Sequence, residues 1–533
     1  MNARRHVLAV DLGAESGRVV LGGFDGSVIH TREAHRFPNT PRTGDDGVLR
    51  WDLSRLWRDV CEGLAKAAEL APGPIDSIGV DTWGLDYGFV DEHGRLVDDP
   101  VSHRDGRTRG MLAEAARLVG RERLYADTGT QLMEFNTVFQ MLADVRYGRG
   151  GRGSRGGRAG LREQDDRGGG RVPRQGPTKG YDAGSRMLML PDLFHRLLCG
   201  SDVAEYTAVS TSGAYDMTRR RWATGLLDDL GIPTGVLPEV VDPGTDLGGL
   251  LPGVADHPAY RHTRVVAPGS HDTASAVVSV PFTDASAAYI SSGTWSLVGV
   301  ERTEGPLVDE DSRLANLTNE GGVGGTIRLL RNCMGLWLLQ ECRNQWAREG
   351  HRYGYGELAA LAARSVAGRS VVNPDHRNFV TPGDMPARIR RYCERTGQPV
   401  PEGAAATART VVDSLAFGYR MVLEDLARVT GRPPTAAHIV GGGSRNGLLN
   451  QLTADVSGLP VLAGPVEATA LGNMLVQLMA LGEVADLAEM REIVRAGQRP
   501  TLYEPAGDGS AEERYRRYRE WAAADSAEAG ITG

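Results

Sequence analysis

The feature that most constrains this chain is a recurring unit in which two short apolar runs flank a turn of glycine and hydroxyl residues. His6-Val-Leu-Ala-Val-Asp11 and Arg18-Val-Val-Leu-Gly22 flank Leu12-Gly-Ala-Glu-Ser-Gly17, and Ala288 to Val300 repeats the pattern around Ser291-Ser-Gly-Thr294. Apolar runs of this length bounded by turn residues predict hairpins. A third unit is expected over Ile78 to Val90, with Asp81 at a strand end and Gly84 in the turn. Helical spacing appears between them, at Leu56, Val60, Leu64 and Leu70, and again over Met334–Arg348, Ala408–Val429, Asn446–Val456 and Ala470–Leu481. The expected class is α/β, built as an internal duplication whose second half opens near residue 281.

At 533 residues the chain is too long for one compact core. Its 60 basic and 68 acidic residues leave a net charge of −8, which disfavours nucleic acid and anionic lipid as partners. The five cysteines, Cys61, Cys199, Cys333, Cys342 and Cys393, include no Cys-x-x-Cys pair, so neither a disulfide framework nor a zinc site is expected, and a cytoplasmic setting fits. Asp11 and Gly13 interrupt the first apolar run before it could serve as a signal peptide. No stretch is apolar enough to span a membrane.

Lysine narrows the chemistry. Lys66 and Lys179 are the only two, and neither stands in a Gly-Lys-Ser/Thr context. A P-loop, a protein-kinase lysine and a pyridoxal Schiff base are therefore all unsupported. Phosphate handling in such a chain falls to backbone amides, hydroxyls, arginine and a metal ion. The turn Asp11-Leu-Gly-Ala-Glu-Ser-Gly-Arg18 has those parts, with glycine amides free to approach anionic oxygens and Asp11 available to orient magnesium through water. Taken alone it also reads as a plain polar hairpin. Thr294 and the Gly441-Gly-Gly443 turn ahead of a helix add further phosphate-facing candidates. Following the strand Val265-Val-Ala267, Gly269-Ser-His-Asp-Thr-Ala-Ser275 offers Asp272 as a general base for an alcohol acceptor, with a helix cap as the alternative role. His271 is expected to orient substrate rather than bind metal.

The tract Tyr147 to Ser185 is almost wholly glycine, arginine and small polar residues without hydrophobic periodicity, so it is expected to be a disordered surface insertion. Its Gly151-Arg-Gly-Ser-Arg-Gly156 matches a dinucleotide fingerprint only in letters, since no strand precedes it and no helix follows.

These blocks resemble the FGGY carbohydrate kinases. The resemblance is carried by Asp11 to Arg18, Ile78-Gly-Val-Asp-Thr-Trp-Gly-Leu-Asp86, His103-Arg-Asp-Gly-Arg-Thr108, Ser270 to Ala276, Ser291 to Ser296, Asn316 to Gly321, Asn332 to Gln340, Gly441 to Ser444 and Gly464 to Thr469, all in order. It implies two actin-like (ribonuclease H-like) ATPase domains flanking a cleft: residues 1–280, with the insertion at 147–185, then 281–490, and an extension over 491–533. It also implies site roles. Ala14, Glu15, Ser16, Gly17, Arg18, Thr294, Gln340 and Gly442 would meet ATP, and Gly84, His271, Asp272, Thr273 and Asn332 the sugar. Asp272 would accept the proton and Asp11 would associate with Mg2+. The activity implied is ATP-dependent phosphorylation of the 1-hydroxyl of L-rhamnulose. The rivals are a kinase for another deoxyketose such as L-fuculose, and a non-metabolic actin-like ATPase.

Three departures from the resemblance stand out. Glu15 occupies a turn position where serine is usual, so a carboxylate beside polyphosphate must turn outward. The insertion replaces a shorter linker, and Arg445 follows Ser444 where an uncharged amide is usual.

Overall fold

In the computed structural model, residues 4–13, 15–148, 180–254, 256–506, 509 and 511–528 are described. The first half builds a six-stranded sheet from β1 (Arg5–Leu12), β2 (Ser16–Phe24), β3 (Ile29–Pro38), β4 (Ser77–Thr82), β5 (Asp246–Gly249) and β6 (Arg264–Val266), in the order β5-β6-β4-β1-β2-β3. The helices α1 (Leu53–Leu70) and α2 (Asp272–Val278) accompany it. The second half builds a seven-stranded sheet from β7 (Ala288–Ser292), β8 (Trp295–Arg302), β9 (Thr318–Gly321), β10 (Ile327–Met334), β11 (Ala437–Val440), β12 (Val461–Ala463) and β13 (Thr501–Tyr503), ordered β9-β10-β8-β7-β11-β12-β13. Its helices include α3 (Trp337–Arg348), α4 (Gly403–Thr430), α5 (Gly447–Ser457), α6 (Ala468–Ala480) and α7 (Glu512–Glu528).

The two sheets share one topology. Each has a central strand, β1 or β7, with an antiparallel hairpin partner on one side and two successive parallel strands on the other. An antiparallel strand then closes that edge in both. The expected duplication is thus present as two actin-like sheets. Val7 to Val10 are fully buried, which is why β1 reads as a continuous apolar run: both of its faces are covered.

Helix α1 contains the expected helical spacing at Leu56, Val60, Leu64 and Leu70, and its ends are set locally. The Asp52 carboxylate accepts from Arg55 N–H at 2.8 Å, and Leu53, Leu56, Val60, Leu64 and Ala67 bury one face. The expected hairpin over Ile78 to Val90 is corrected. β4 lies between β1 and β6 with both edges taken, so the next strand, Tyr87–Val90, leaves the sheet and pairs antiparallel with Arg186–Met189. Leu85, at φ 79°, redirects the chain. The expected helix start at Met334 is likewise corrected, because Met334 ends β10 and α3 begins at Trp337.

The expected packing-free tract is narrower than 147–185. Tyr147 closes the helix Thr137–Tyr147, and Tyr181 packs on Phe89 with ring centroids 4.8 Å apart. The rest of that expectation, over 149–179, lies outside the described residues.

The C-terminal half also returns to the first sheet. On α6, Gln477 donates to Leu8 C=O at 2.8 Å and Asn473 donates to the Asp81 carboxylate at 2.6 Å. α6 crosses α2 at Gly472, where a Cβ would stand 1.7 Å from the backbone oxygen of Ser275. Only glycine fits this backbone contact, which joins the halves directly behind Asp272. Gly472→Ala is expected to cost about 3 kcal/mol or more, since overpacking against backbone cannot relax by a rotamer change. Urea unfolding tests it: an unchanged midpoint would mean the two helices slide apart freely.

Candidate active site

The carboxyl ends of the central strands of both sheets converge on one cleft, the position where ligands bind to open α/β sheets. In the parallel register of β1 and β4, Asp11 lies opposite Asp81, so the two carboxylates stand side by side and buried. A bridge from Thr82 to His271 places the 269–275 loop next in line. Glu205 holds that loop from behind by accepting from Ser270 N–H at 3.1 Å, while Thr207 Oγ1 accepts from His271 N–H at 3.1 Å.

The resulting cavity, of about 710 Å3, is lined by Asp11, Glu15, Ser16, Arg18, Gly84, His271, Asp272, Thr273, Thr294, Asn332, Gln340 and Gly442. Of the residues singled out from sequence, Gly17 is not among them. It is packed against the ring of Phe37, which a Cβ would approach to 2.3 Å. Ala14 lies outside the described residues.

Asp272 opens α2, with His271 as the N-cap residue, and its carboxylate accepts from the Thr273 hydroxyl at 3.2 Å and bonds the Thr273 backbone at the helix start. The Asp272 side chain is 28% exposed, with His271 Nε2 at 3.5 Å. Burial, opposed by His271 and reinforced by the Asp11 charge, holds its pKa above the usual carboxylate range. Asp81 is pushed up further, first by burial and then by Asp11, and its Oδ1 has no hydrogen-bond partner. Like charges packed together in this way favour a bound cation or proton.

Several organising groups were not visible as such in the sequence. Asp86 is fully buried and accepts from Trp51 Nε1 at 2.7 Å, Trp83 Nε1 at 2.8 Å and His103 N–H at 2.7 Å. His103 Nδ1 lies a further 3.0 Å from it. Its partners Trp51, Trp83 and His103 all line the cavity. Across the cleft, Arg328 on β10 lies 3.1 Å from both Glu320 and His271 Nδ1, and Asn332 N–H donates to Gln131 at 2.8 Å. These contacts tie His271 and Gln131 of the first half to the sheet of the second.

On the side of the phosphate turn, Arg18 binds Asp11 at 2.6 Å and also pairs with Glu467. Glu467 in turn lies 3.8 Å from Arg445, which is 72% exposed. The Arg445 charge is thus directed along the rim. Glu15 is exposed at the cavity lining, where burial raises its pKa against the opposing charges of Arg343 and Arg104. Gly441, at φ 81°, and the short turn Gly442–Arg445 bring bare backbone to the cavity ahead of α5, whose cap is Asn446.

Comparison with known families decides what this cleft belongs to. The sequence model of the FGGY family of carbohydrate kinases matches residues 6–142 and 178–279 with its N-terminal domain, and residues 288–481 with its C-terminal domain. The chain belongs to the FGGY family of carbohydrate kinases. A rhamnulokinase of Pectobacterium carotovorum subsp. carotovorum is 40% identical over 520 residues, covering 97% of this FGGY kinase and 96% of the relative. A rhamnulokinase of Bacteroides thetaiotaomicron is 39% identical over 503 residues, covering 94% and 96%. In fold, this FGGY kinase is similar to xylulose kinase from Lactobacillus acidophilus, with a TM-score of 0.73 at 15% identity over 98% of this chain and 97% of that one. It is also similar to the glycerol kinase of Plasmodium falciparum, with a TM-score of 0.72 at 13% identity over 98% and 97%. The cleft is therefore that of a sugar kinase with two actin-like ATPase domains and ATP as phosphoryl donor. No helix among the described residues is long and apolar enough to cross a membrane.

The N-terminal family match passes over residues 143–177. Replacing 149–179 with a short polar linker is expected to leave turnover of this FGGY kinase within severalfold of the parent, because a tract of that composition buries little apolar surface. A loss of about tenfold or more in turnover would show that the tract contributes to the active enzyme.

Proposed function

We propose that this FGGY kinase transfers the γ-phosphoryl group of ATP to the 1-hydroxyl of L-rhamnulose. The observation that carries this reading is end-to-end similarity, at 37–40% identity, to rhamnulokinases from Pectobacterium, Bacteroides and Enterococcus. The placement of Asp272 in the cavity, beyond the phosphate turn, supports the chemistry.

In the proposed step Asp272 accepts the proton of the 1-hydroxyl as that oxygen bonds to phosphorus. The bond from phosphorus to the β,γ-bridging oxygen breaks, and ADP leaves with the electron pair. Ser16, Arg18, Thr294 and the 441–443 backbone are assigned to the nucleotide's phosphates, with Glu15, Gln340 and Gly442 toward the nucleotide as a whole. His271, Thr273, Gly84 and Asn332 are assigned to the sugar. Asp86 orients Trp51, Trp83 and His103 around it.

Asp11 and Asp81 fit a divalent cation, because the two buried carboxylates stand side by side and Asp81 Oδ1 has no partner, while Arg18 and Asn473 each occupy only one oxygen of the pair. Among the described residues, the one group of three or more His, Cys, Asp or Glu side chains close enough to share a single ion is His35, Asp59 and Glu62, none of which lines the cavity. Mg2+ at Asp11 would accordingly keep several waters. When bound, it neutralises charge on the phosphate oxygens.

A coupled assay for ADP release with L-rhamnulose, with L-fuculose and with no ketose tests the reading. Release that depends on L-rhamnulose is expected. Equal rates with L-fuculose would make the substrate assignment too narrow, and ketose-independent release would favour an actin-like ATPase of another kind.

A further inference from the structure

A second and larger cavity, of about 1270 Å3, lies on the other side of one wall of the active site. His103, Arg104, Met133 and Phe135 from the first half, with Trp295 and Asn332 from the second, line both cavities. The Phe135 ring stands 5.9 Å from His103 and 5.5 Å from Trp295. The partition is therefore an aromatic seam between the two halves, of the kind that domain opening would part.

Charge in this far chamber is unbalanced. Its carboxylates, Asp105, Glu134, Asp375, Asp425 and Asp525, are each already engaged by a backbone N–H, a tyrosine hydroxyl or an arginine. Four of its arginines are not matched in the same way. Among the described residues, Arg104, Arg109, Arg121 and Arg391 line the chamber without an ion pair or a side-chain hydrogen bond. Arg104 lies with its guanidinium 4.5 Å over the Trp337 ring, and burial pulls its pKa down. Arginines on the phosphate-turn side are paired instead: Arg18 with Asp11 and Glu467, Arg36 with Glu33, and Arg445 with Glu467. With eight arginines against five carboxylates in its lining, the far chamber carries an excess of positive charge, and guanidinium groups in a concave site favour a phosphate dianion.

We propose that the far chamber binds the phosphoryl end of a sugar phosphomonoester and is the side on which the phosphorylated product leaves. This rests on the proposed function for the identity of the product, and the chemistry follows from the charge. Transfer turns a neutral ketose into an ester of about two negative charges at neutral pH, while ADP still occupies the phosphate turn. Arg104, which lines both cavities, meets that ester first, and parting the seam at Phe135 and Trp295 opens the way to Arg109, Arg121 and Arg391 beyond it.

The test uses the full chain, D-fructose 1-phosphate as a stable ketose 1-phosphate, and calorimetric titration without nucleotide. The variant carries Arg109→Gln, Arg121→Gln and Arg391→Gln together, none of which is assigned to the catalytic or nucleotide groups. The ester is expected to bind the parent, and the triple variant to bind it about tenfold or more weakly, equivalent to ~1.4 kcal/mol. Raising the salt concentration should weaken binding to the parent more than to the variant. A non-hydrolysable ATP analogue should neither displace the ester nor lose affinity for the variant. Displacement by the analogue with equal affinity in the two proteins would place the ester on the nucleotide side and overturn the proposal, as would no binding to the parent. Inorganic phosphate binding as tightly as the ester would overturn the sugar-phosphate assignment. If L-rhamnulose is not phosphorylated but the ester still binds through these arginines, the substrate reading falls and the chamber stands.

Discussion

Asp272→Asn is expected to keep the affinity for an ATP analogue and to lose about a hundredfold or more in turnover. The amide is nearly isosteric with the carboxylate but accepts no proton, and general base catalysis of this kind contributes about 10²–10⁴-fold. The amide oxygen of Asn can still accept from Thr273, as the carboxylate does, so the start of α2 should stay intact and stability should change little. The parent enzyme should also lose kcat/KM as pH falls. In the proposed base role Asp272 works as the carboxylate, and burial together with Asp11 holds its pKa above the usual range. The acid limb therefore begins at a higher pH than the ~3.9 of a free aspartate would give. Single-turnover measurements across pH would check both effects. Near-normal turnover in the Asn variant would remove Asp272 from the base role.

Asp86→Asn is expected to lower kcat/KM for the ketose by about a hundredfold while leaving the KM for ATP near the parent value. Asp86 faces only donors, namely two indole N–H groups and the backbone N–H and ring of His103. An amide turns one acceptor into an NH2 directed at those donors, and each buried donor left unmatched costs about 1–3 kcal/mol. Trp51, Trp83 and His103 would then settle in other positions along the cavity wall. Burial alone would raise the pKa of Asp86, but His103 and the indoles outweigh it and hold the group below the usual value. Its stabilising effect is therefore present above the unfolded-state pKa of ~3.9 and is lost as pH falls through the lower folded-state value. Steady-state kinetics with separate titrations of ketose and ATP would decide the matter. A variant with reduced stability and unchanged kinetics would show that Asp86 supports the fold without shaping the sugar site.

Much of this protein was legible locally. The β1–β2 and β7–β8 hairpins, helix α1 and the Gly-rich turn before α5 are specified by residues close together in the chain, where turn chemistry and capping act without help from elsewhere. The candidate groups in the phosphate turn and the 269–275 loop could be found for the same reason, since short motifs carry their own geometry. Reading Ile78 to Val90 as a hairpin failed because pairing is a competition for strand edges. β4 had both edges occupied by β1 and β6, whose positions no local pattern reveals, and Tyr87–Val90 took Arg186–Met189 instead. Gly17 shows a second constraint that no local pattern reveals, because a Cβ there would stand 2.3 Å from the ring of Phe37.

The sequence by itself determined the chemistry available: a glycine- and hydroxyl-rich turn without lysine, a carboxylate able to act as base, and two halves with one strand plan. Tertiary structure alone decided which charges meet. Asp11 and Asp81 oppose each other through strand register. Glu320 and Arg328 reach His271 from the other half, and Glu467 pairs with Arg18. Whether an arginine is paired or left free in the far chamber is settled by the same packing. Electrostatic interactions depend on distance and burial, and for residues far apart in the chain both are products of the folded arrangement.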